Sequence, residues 1–138
     1  MTIISIEFEG YWLDRNRKHL PAKSGIYCVY ECTYNLDNKI ALRKLIYIGE
    51  AKDVNDRVNG QHEKRPDWKA QVEPGNELCF SFGQVGEKHR ERAEAALINH
   101  HQPPENDKYN DSFPFPDTTI KLSGEIKFLH SQFTVYKS

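Results

Sequence analysis

The sequence contains no apolar run approaching the roughly 20 residues that a membrane-spanning helix needs. Its first residues, Met1-Thr2-Ile3-Ile4-Ser5, carry neither a basic stretch nor a long apolar core. A secretory leader and a membrane partner are therefore not expected, and the expected setting is cytoplasmic. An excess of one charge is lacking too: Lys and Arg total 19, Asp and Glu 20, for a formal net charge of −1. That counts against bulk electrostatic capture of nucleic acid, which rests on counterion release by cations, although a local basic stripe fits inside a neutral total. Cysteine is scarce and odd in number: Cys28, Cys32 and Cys79. No C-x-x-C pair and no H-x3-5-H beside them argues against a zinc site. Cys28 and Cys32 share a face of a strand-like run and read as small buried hydrophobes in a reducing compartment. Internal repeats and low-complexity stretches are absent.

What remains is an ordinary globular composition over 138 residues, 38% hydrophobic and 28% charged. One domain, residues 1–138, is the expectation, and a chain this long buries roughly two-thirds of its unfolded surface without disulfides. Alternation over 3–8 predicts a short strand, and 10–22 a lead-in loop or helical turn. Gly25–Thr33 and Leu42–Ile48 read as a hairpin whose Asn35-Leu36-Asp37-Asn38 turn is too long for a two-residue loop. Asp53 offers an N-cap for a helix over about 53–63, and Arg65-Pro66-Asp67 breaks or restarts it. Pro74-Gly75-Asn76 marks a turn before a strand over Glu77–Val85. Glu87–His101 is the strongest helix, stopped by Pro103-Pro104. Thr119–Leu122 and Glu125–Val135 are strand-like, with Gly124 as a turn or bulge between them. The order is β-β-α-β-α with extra strands at both ends. It predicts a small α/β (α+β) fold, a central antiparallel sheet flanked by helices.

Five features stand out along this order: Gly25-Ile26-Tyr27 on the first hairpin strand, Tyr47-Ile48-Gly49 ending the second, Arg57 in the first helix, Glu94 in the last helix, and Asn106 after the proline stop. Together they resemble the GIY-YIG nuclease superfamily. The likeness runs on through Glu50-Ala51-Lys52-Asp53-Val54-Asn55-Asp56-Arg57, and through Glu94-Ala95-Ala96-Leu97-Ile98 with Pro103 and Asn106. It covers about residues 24–106; the flanks 1–23 and 107–138 lie outside it. Each residue alone has a plainer reading, a half-buried sheet aromatic for Tyr27 or Tyr47 and a solvated helix residue for Arg57 or Glu94. Their joint order and spacing carry the resemblance.

The resemblance implies a DNA endonuclease using one divalent ion, Mg²⁺ or Mn²⁺. Glu94 would be the metal ligand, a sparse site that suits an ion keeping several waters. Arg57 would hold the non-bridging phosphate oxygens with a permanently charged fork. Tyr27 would take or pass on the water's proton, and Tyr47 would position the water or share the proton. A free phenol, with a pKa near ~10, is a poor base unless nearby cations favour its anion. Gly25 and Gly49 would keep bulk away from the phosphate, and Asn106 would brace the site by hydrogen bonds.

Two positions depart from the pattern. Glu50 follows the second tripeptide directly, adding negative charge near the phosphate or else helping to hold the cation. The His that some relatives carry four residues after the arginine is Gln61 here, with His62 one step later. One step is about 100° around a helix, so the plainer reading of His62 is an exposed helix-end histidine, with a proton-handling role as the alternative. His100 and His101 read as cations at a helix C-terminus, with ligation as the second choice. Lys64-Arg65, Trp68 and Lys69 read either as a strand-contacting or base-stacking patch or as a mixed surface loop. Lys88, Arg90 and Arg92 are expected to pair locally with Glu87, Glu91 and Glu94. Phe113-Pro114-Phe115-Pro116 reads either as a docking segment or, in the plainer reading, as a lid over the core. A catalytically silent nucleic-acid-binding or regulatory module is the other functional class in view, because fold does not fix function.

Overall fold

A computed structural model describes residues 1–34, 37 and 39–138. Six strands form one sheet: β1 (Thr2–Leu13), β2 (Gly25–Tyr34), β3 (Ile40–Ala51), β4 (Glu77–Gln84), β5 (Thr118–Gly124) and β6 (Gln132–Val135), in the order β3-β2-β4-β1-β5-β6. Three α-helices accompany them, α1 (Val54–Asn59), α2 (Arg65–Ala70) and α3 (Glu87–His101), with a 3-10 helix over Asp14–His19. The fold is α+β, as the element order predicts. The four strands β3-β2-β4-β1 are antiparallel, but β1 and β5 run parallel, from Thr2↔Thr118 to Phe8↔Gly124, so the sheet is mixed. That pairing joins residues 116 apart, a distance over which strand periodicity says nothing about direction. The turn expected at Asn35-Leu36-Asp37-Asn38 lies outside the described residues except for Asp37.

Alternate residues of β2 feed two cores. Ile26, Cys28, Tyr30 and Cys32 join a cluster with Ala93, Leu97 and Ile98 of α3. Tyr27 and Val29 join another with Val54, Val58 and Trp68 of α1 and α2. The period of two thus sends α3 to one face of the sheet and α1 and α2 to the other. All three cysteines are free and buried, Cys28 and Cys32 as expected. Phe113 is buried in the α3-side core with Phe115 packed against it, as a lid would be.

Element boundaries moved in three places. β1 extends to Leu13, taking part of the segment read as a loop, because its second half pairs with β4 from Phe8↔Gly83 to Leu13↔Cys79. The helix expected over 53–63 keeps its Asp53 cap, whose side chain accepts from Asp56 N–H at 3.0 Å, but ends at Asn59 with Gly60 as C-cap. The chain restarts a helix at Arg65, with Pro66 in its first turn where a missing N–H costs nothing. At the other end, only Gln132–Val135 of the expected 125–135 strand pairs with β5. Gly124, at φ +82°, turns the chain there, with its neighbour Glu125 N–H donating back to Phe8 O at 2.9 Å. Among the described residues no helix is long and apolar enough to cross a membrane.

Trp68 is 0% exposed and packs behind Tyr27 and Tyr47. This overturns the surface-patch and base-stacking readings of this residue. Trp68→Ala should lower stability by about 3–5 kcal/mol in urea unfolding, the usual cost of emptying so large a buried site. A loss under about 1 kcal/mol would mean the indole is not part of the core.

Candidate active site

β2 and β3 place the two tripeptides side by side, with Tyr27 opposite Gly49 and Val29 opposite Tyr47. The Tyr27 and Tyr47 rings lie 6.2 Å apart. Arg57 comes from the last turn of α1 and Glu94 from the middle of α3, on the other side of the sheet. All four line one cleft of about 360 Å³, together with Glu50, Lys64, Asn106 and Lys108. Tyr27, Tyr47, Arg57, Glu94 and Asn106, dispersed along the sequence, are therefore brought to one place.

Asn106 does what a neighbouring strand would do. β3 is an edge strand, and Asn106 Oδ1 accepts from Ile48 N–H at 3.0 Å while its Nδ2 donates to Ile48 O at 2.9 Å. Glu105 N–H adds a bond to Ile46 O at 3.1 Å. The segment after Pro103-Pro104 thus closes the open edge and fixes the backbone between Tyr47 and Gly49. The glycines act differently from the expectation. A Cβ on Gly49 would meet Tyr27 Cζ and Oη at 2.3 Å, so the space it leaves is filled by the phenol. A Cβ on Gly25 would meet Gly83 O at 2.2 Å, so that residue permits close packing of β2 on β4.

His62 is not an exposed helix-end residue. It lies in the turn between α1 and α2, is 4% exposed, and its Nε2 is 2.8 Å from Tyr27 Oη. Its Nδ1 accepts from Lys64 N–H at 3.1 Å. Burial, with Arg57 adding to it, holds its pKa down to about 4, so the ring is neutral at pH 7. A neutral imidazole whose Nδ1 is an acceptor carries its proton on Nε2. His62 therefore donates to the Tyr27 oxygen. The sequence hides this arrangement because the helix expected over about 53–63 in fact ends at Asn59.

The phenols stay protonated when left to themselves. Burial, then the nearby Tyr47, raise Tyr27 well above its usual value, while Arg57 pulls the other way. Burial and Glu94 push Tyr47 up to about 12. Arg57 makes a two-oxygen bond to Glu63, at 2.7 and 2.9 Å, a partner no motif signalled. Glu50 pairs with Arg90, which also donates to Ser24 Oγ at 2.9 Å, so its charge in the cleft is countered. Arg92 bonds Thr118 Oγ1 at 2.6 Å and the carbonyls of Pro116 and Asp117. The helix arginines thus pair across the fold rather than along the helix. Lys64 pairs with Asp107 and Arg65 with Asp14, leaving little of the expected basic patch.

Glu94 has no ion pair among the described residues. Burial, then the Glu50 charge, raise it to about 7, against a hydrogen bond from the Glu50 backbone N–H. An oxygen donor deprived of a cationic partner, with a second carboxylate beside it, fits a hard divalent ion such as Mg²⁺. Comparisons of the chain with protein-family models, with curated proteins and with solved structures return no match.

Two outcomes follow from this geometry. Glu94 titrates at a raised value when folded, so its favourable contribution is present below pH 4.5 and is lost as the pH rises through about 7. In EDTA, Glu94→Gln should therefore exceed wild type in stability at pH 8, on the order of 1–2 kcal/mol after allowance for solvent, with the difference gone by pH 4. Equal unfolding curves at pH 8 would mean the carboxylate is not held back from ionising. Gly49→Ala should displace the Tyr27 ring, read as a shifted tyrosine signal in near-ultraviolet circular dichroism, whereas an unchanged spectrum would show that the ring does not depend on that gap.

Proposed function

We propose that this chain is a GIY-YIG-type endonuclease that hydrolyses phosphodiester bonds in DNA with one divalent cation, Mg²⁺ or Mn²⁺. The observation that carries this reading is the meeting of Tyr27, Tyr47, Arg57 and Glu94 in one cleft, with Asn106 bracing the strand between them. A cation held by Glu94 would relieve charge on a non-bridging oxygen and on the departing 3′ oxygen. Arg57 binds the other phosphate oxygens, which requires that it exchange its Glu63 partner for the substrate or share itself between the two. Lys108 adds positive charge at the rim, where Lys64 is already balanced by Asp107. Water attacks phosphorus, the bond to the 3′ oxygen breaks, and a 5′-phosphate and a 3′-hydroxyl result. Tyr47 orients that water, Tyr27 takes its proton when present as the phenolate, and the departing 3′ oxygen is protonated from solvent. Burial works against a phenolate at Tyr27, whereas Arg57 and the His62 Nε2–H donated to its oxygen favour one.

The second reading, a silent module that binds without cutting, is favoured by one observation: Arg57 is already engaged by Glu63. A plasmid-nicking assay in Mg²⁺ or Mn²⁺ against EDTA separates the two. The nuclease reading expects metal-dependent nicking that is abolished in a folded Glu94→Ala variant. Tyr27→Phe should retain about 10⁻² to 10⁻⁴ of the rate, the span a proton-transfer group typically contributes. Wild-type protein that binds DNA yet leaves plasmid intact with either metal would establish the silent module instead.

A further inference from the structure

The end of α3 holds a cluster that the cleft does not use. His100 and His101 close the helix, and His130 reaches them from the segment between β5 and β6. One ring nitrogen from each lies within 4.8 Å of the others. We propose that His100, His101 and His130 form a second metal site, one that takes a transition-metal ion such as Zn²⁺ through three imidazoles.

Three features of the cluster support ligation over simple helix capping. His100 Nε2 and His130 Nδ1 are 2.7 Å apart. Two such nitrogens bound tetrahedrally at about 2.0–2.1 Å from zinc lie about 3.3–3.4 Å apart. That pair needs to open by about two-thirds of an ångström, and the third nitrogen to close from at most 4.8 Å. His101 is already set in a ligand's tautomer. Its Nδ1 faces Leu97 O at 2.9 Å and must donate there. The lone pair is then on Nε2, where it accepts His130 N–H at 3.0 Å. A ring N–H anchored on a backbone carbonyl is the usual outer support of a metal-binding histidine. Finally, the His100 ring stacks on Phe133 at 4.0 Å and 8°, which fixes its plane.

The surroundings suit a cation. The cluster sits at the negative end of the fifteen-residue α3. His130 is exposed, so a fourth position is open to water and the freed His130 N–H can be hydrated. Imidazole selects zinc, copper or nickel over Mg²⁺, so this site and the Glu94 cleft would not compete for one ion. Bound metal would tie the β5–β6 segment to the helix that carries Glu94. The short-spacing test for zinc misses the arrangement because 29 residues separate His101 from His130.

The test uses the full chain, free of any histidine tag and stripped with EDTA. Calorimetric titration with Zn²⁺ in excess Mg²⁺ should give one ion per chain at this site, and Co²⁺ in its place should show visible absorption. His130→Ala, a surface change, and His101→Ala should each weaken Zn²⁺ by at least ~10–100-fold, the loss usual for an outer partner alone. Zn²⁺ should raise the melting temperature of wild type and of Glu94→Ala but not of His130→Ala. Equal Zn²⁺ affinity in wild type and both histidine variants would overturn the site. So would binding that Glu94→Ala removes and His130→Ala leaves intact, since that would move the ion to the cleft while leaving the nuclease reading untouched.

Discussion

A carboxylate that resists ionising is the constraint around which the cleft is built. Glu94 comes from the helix on one face of the sheet and meets tyrosines whose rings belong to the core on the other. It is brought there without a cationic partner, beside a second acid, and partly out of water. Burial and the Glu50 charge favour its neutral form, Lys108 works the other way, and a cation from solution would favour the carboxylate. Arg90 meets the demand of Glu50, and Arg57 is taken by Glu63, so neither serves Glu94.

The tyrosine side of the cleft is made from packing. His62 is wedged against Trp68, with ring centroids 4.4 Å apart, and Trp68 in turn lies against Tyr47 and Phe80. Desolvation there keeps the imidazole neutral, and the Lys64 backbone selects which nitrogen keeps the hydrogen. A single backbone bond thereby sets the direction of the Tyr27–His62 hydrogen bond. Gly49 matters to the same end, by leaving the phenol the space a Cβ would fill.

The sequence was legible where local chemistry decides. Asp53 caps its helix, α3 runs from Glu87 to His101, and Pro103-Pro104 stops it, all as residue types dictate. The order and spacing of Tyr27, Tyr47, Arg57, Glu94 and Asn106, through the family resemblance they carry, were enough to expect one cleft. What escaped was whatever depends on partners distant in the chain. His62 was misjudged because Gly60, not Pro66, ends α1, and two residues of loop turn a side chain inward that a helix would have turned away. Glu63 holds Arg57 across a six-residue interval that matches no helical repeat, and Arg90 reaches Glu50 over 40. The parallel run of β1 beside β5 is equally invisible, since both orientations of a strand present the same alternating face.

β1 divides its length between two neighbours: Thr2–Phe8 lies along β5, and Phe8–Leu13 along β4. It is the splice between the motif-bearing half of the sheet and the remainder. A fragment cut to residues 24–106 would keep Tyr27, Tyr47, Arg57, Glu94 and Asn106 and still lose this splice. β4 would be left with a bare flank, and Ala93, Leu97 and Ile98 would face water where Ile4, Ile6, Phe113 and Ile120 had been. The segments without a recognisable motif are thus the scaffolding on which the recognisable ones stand.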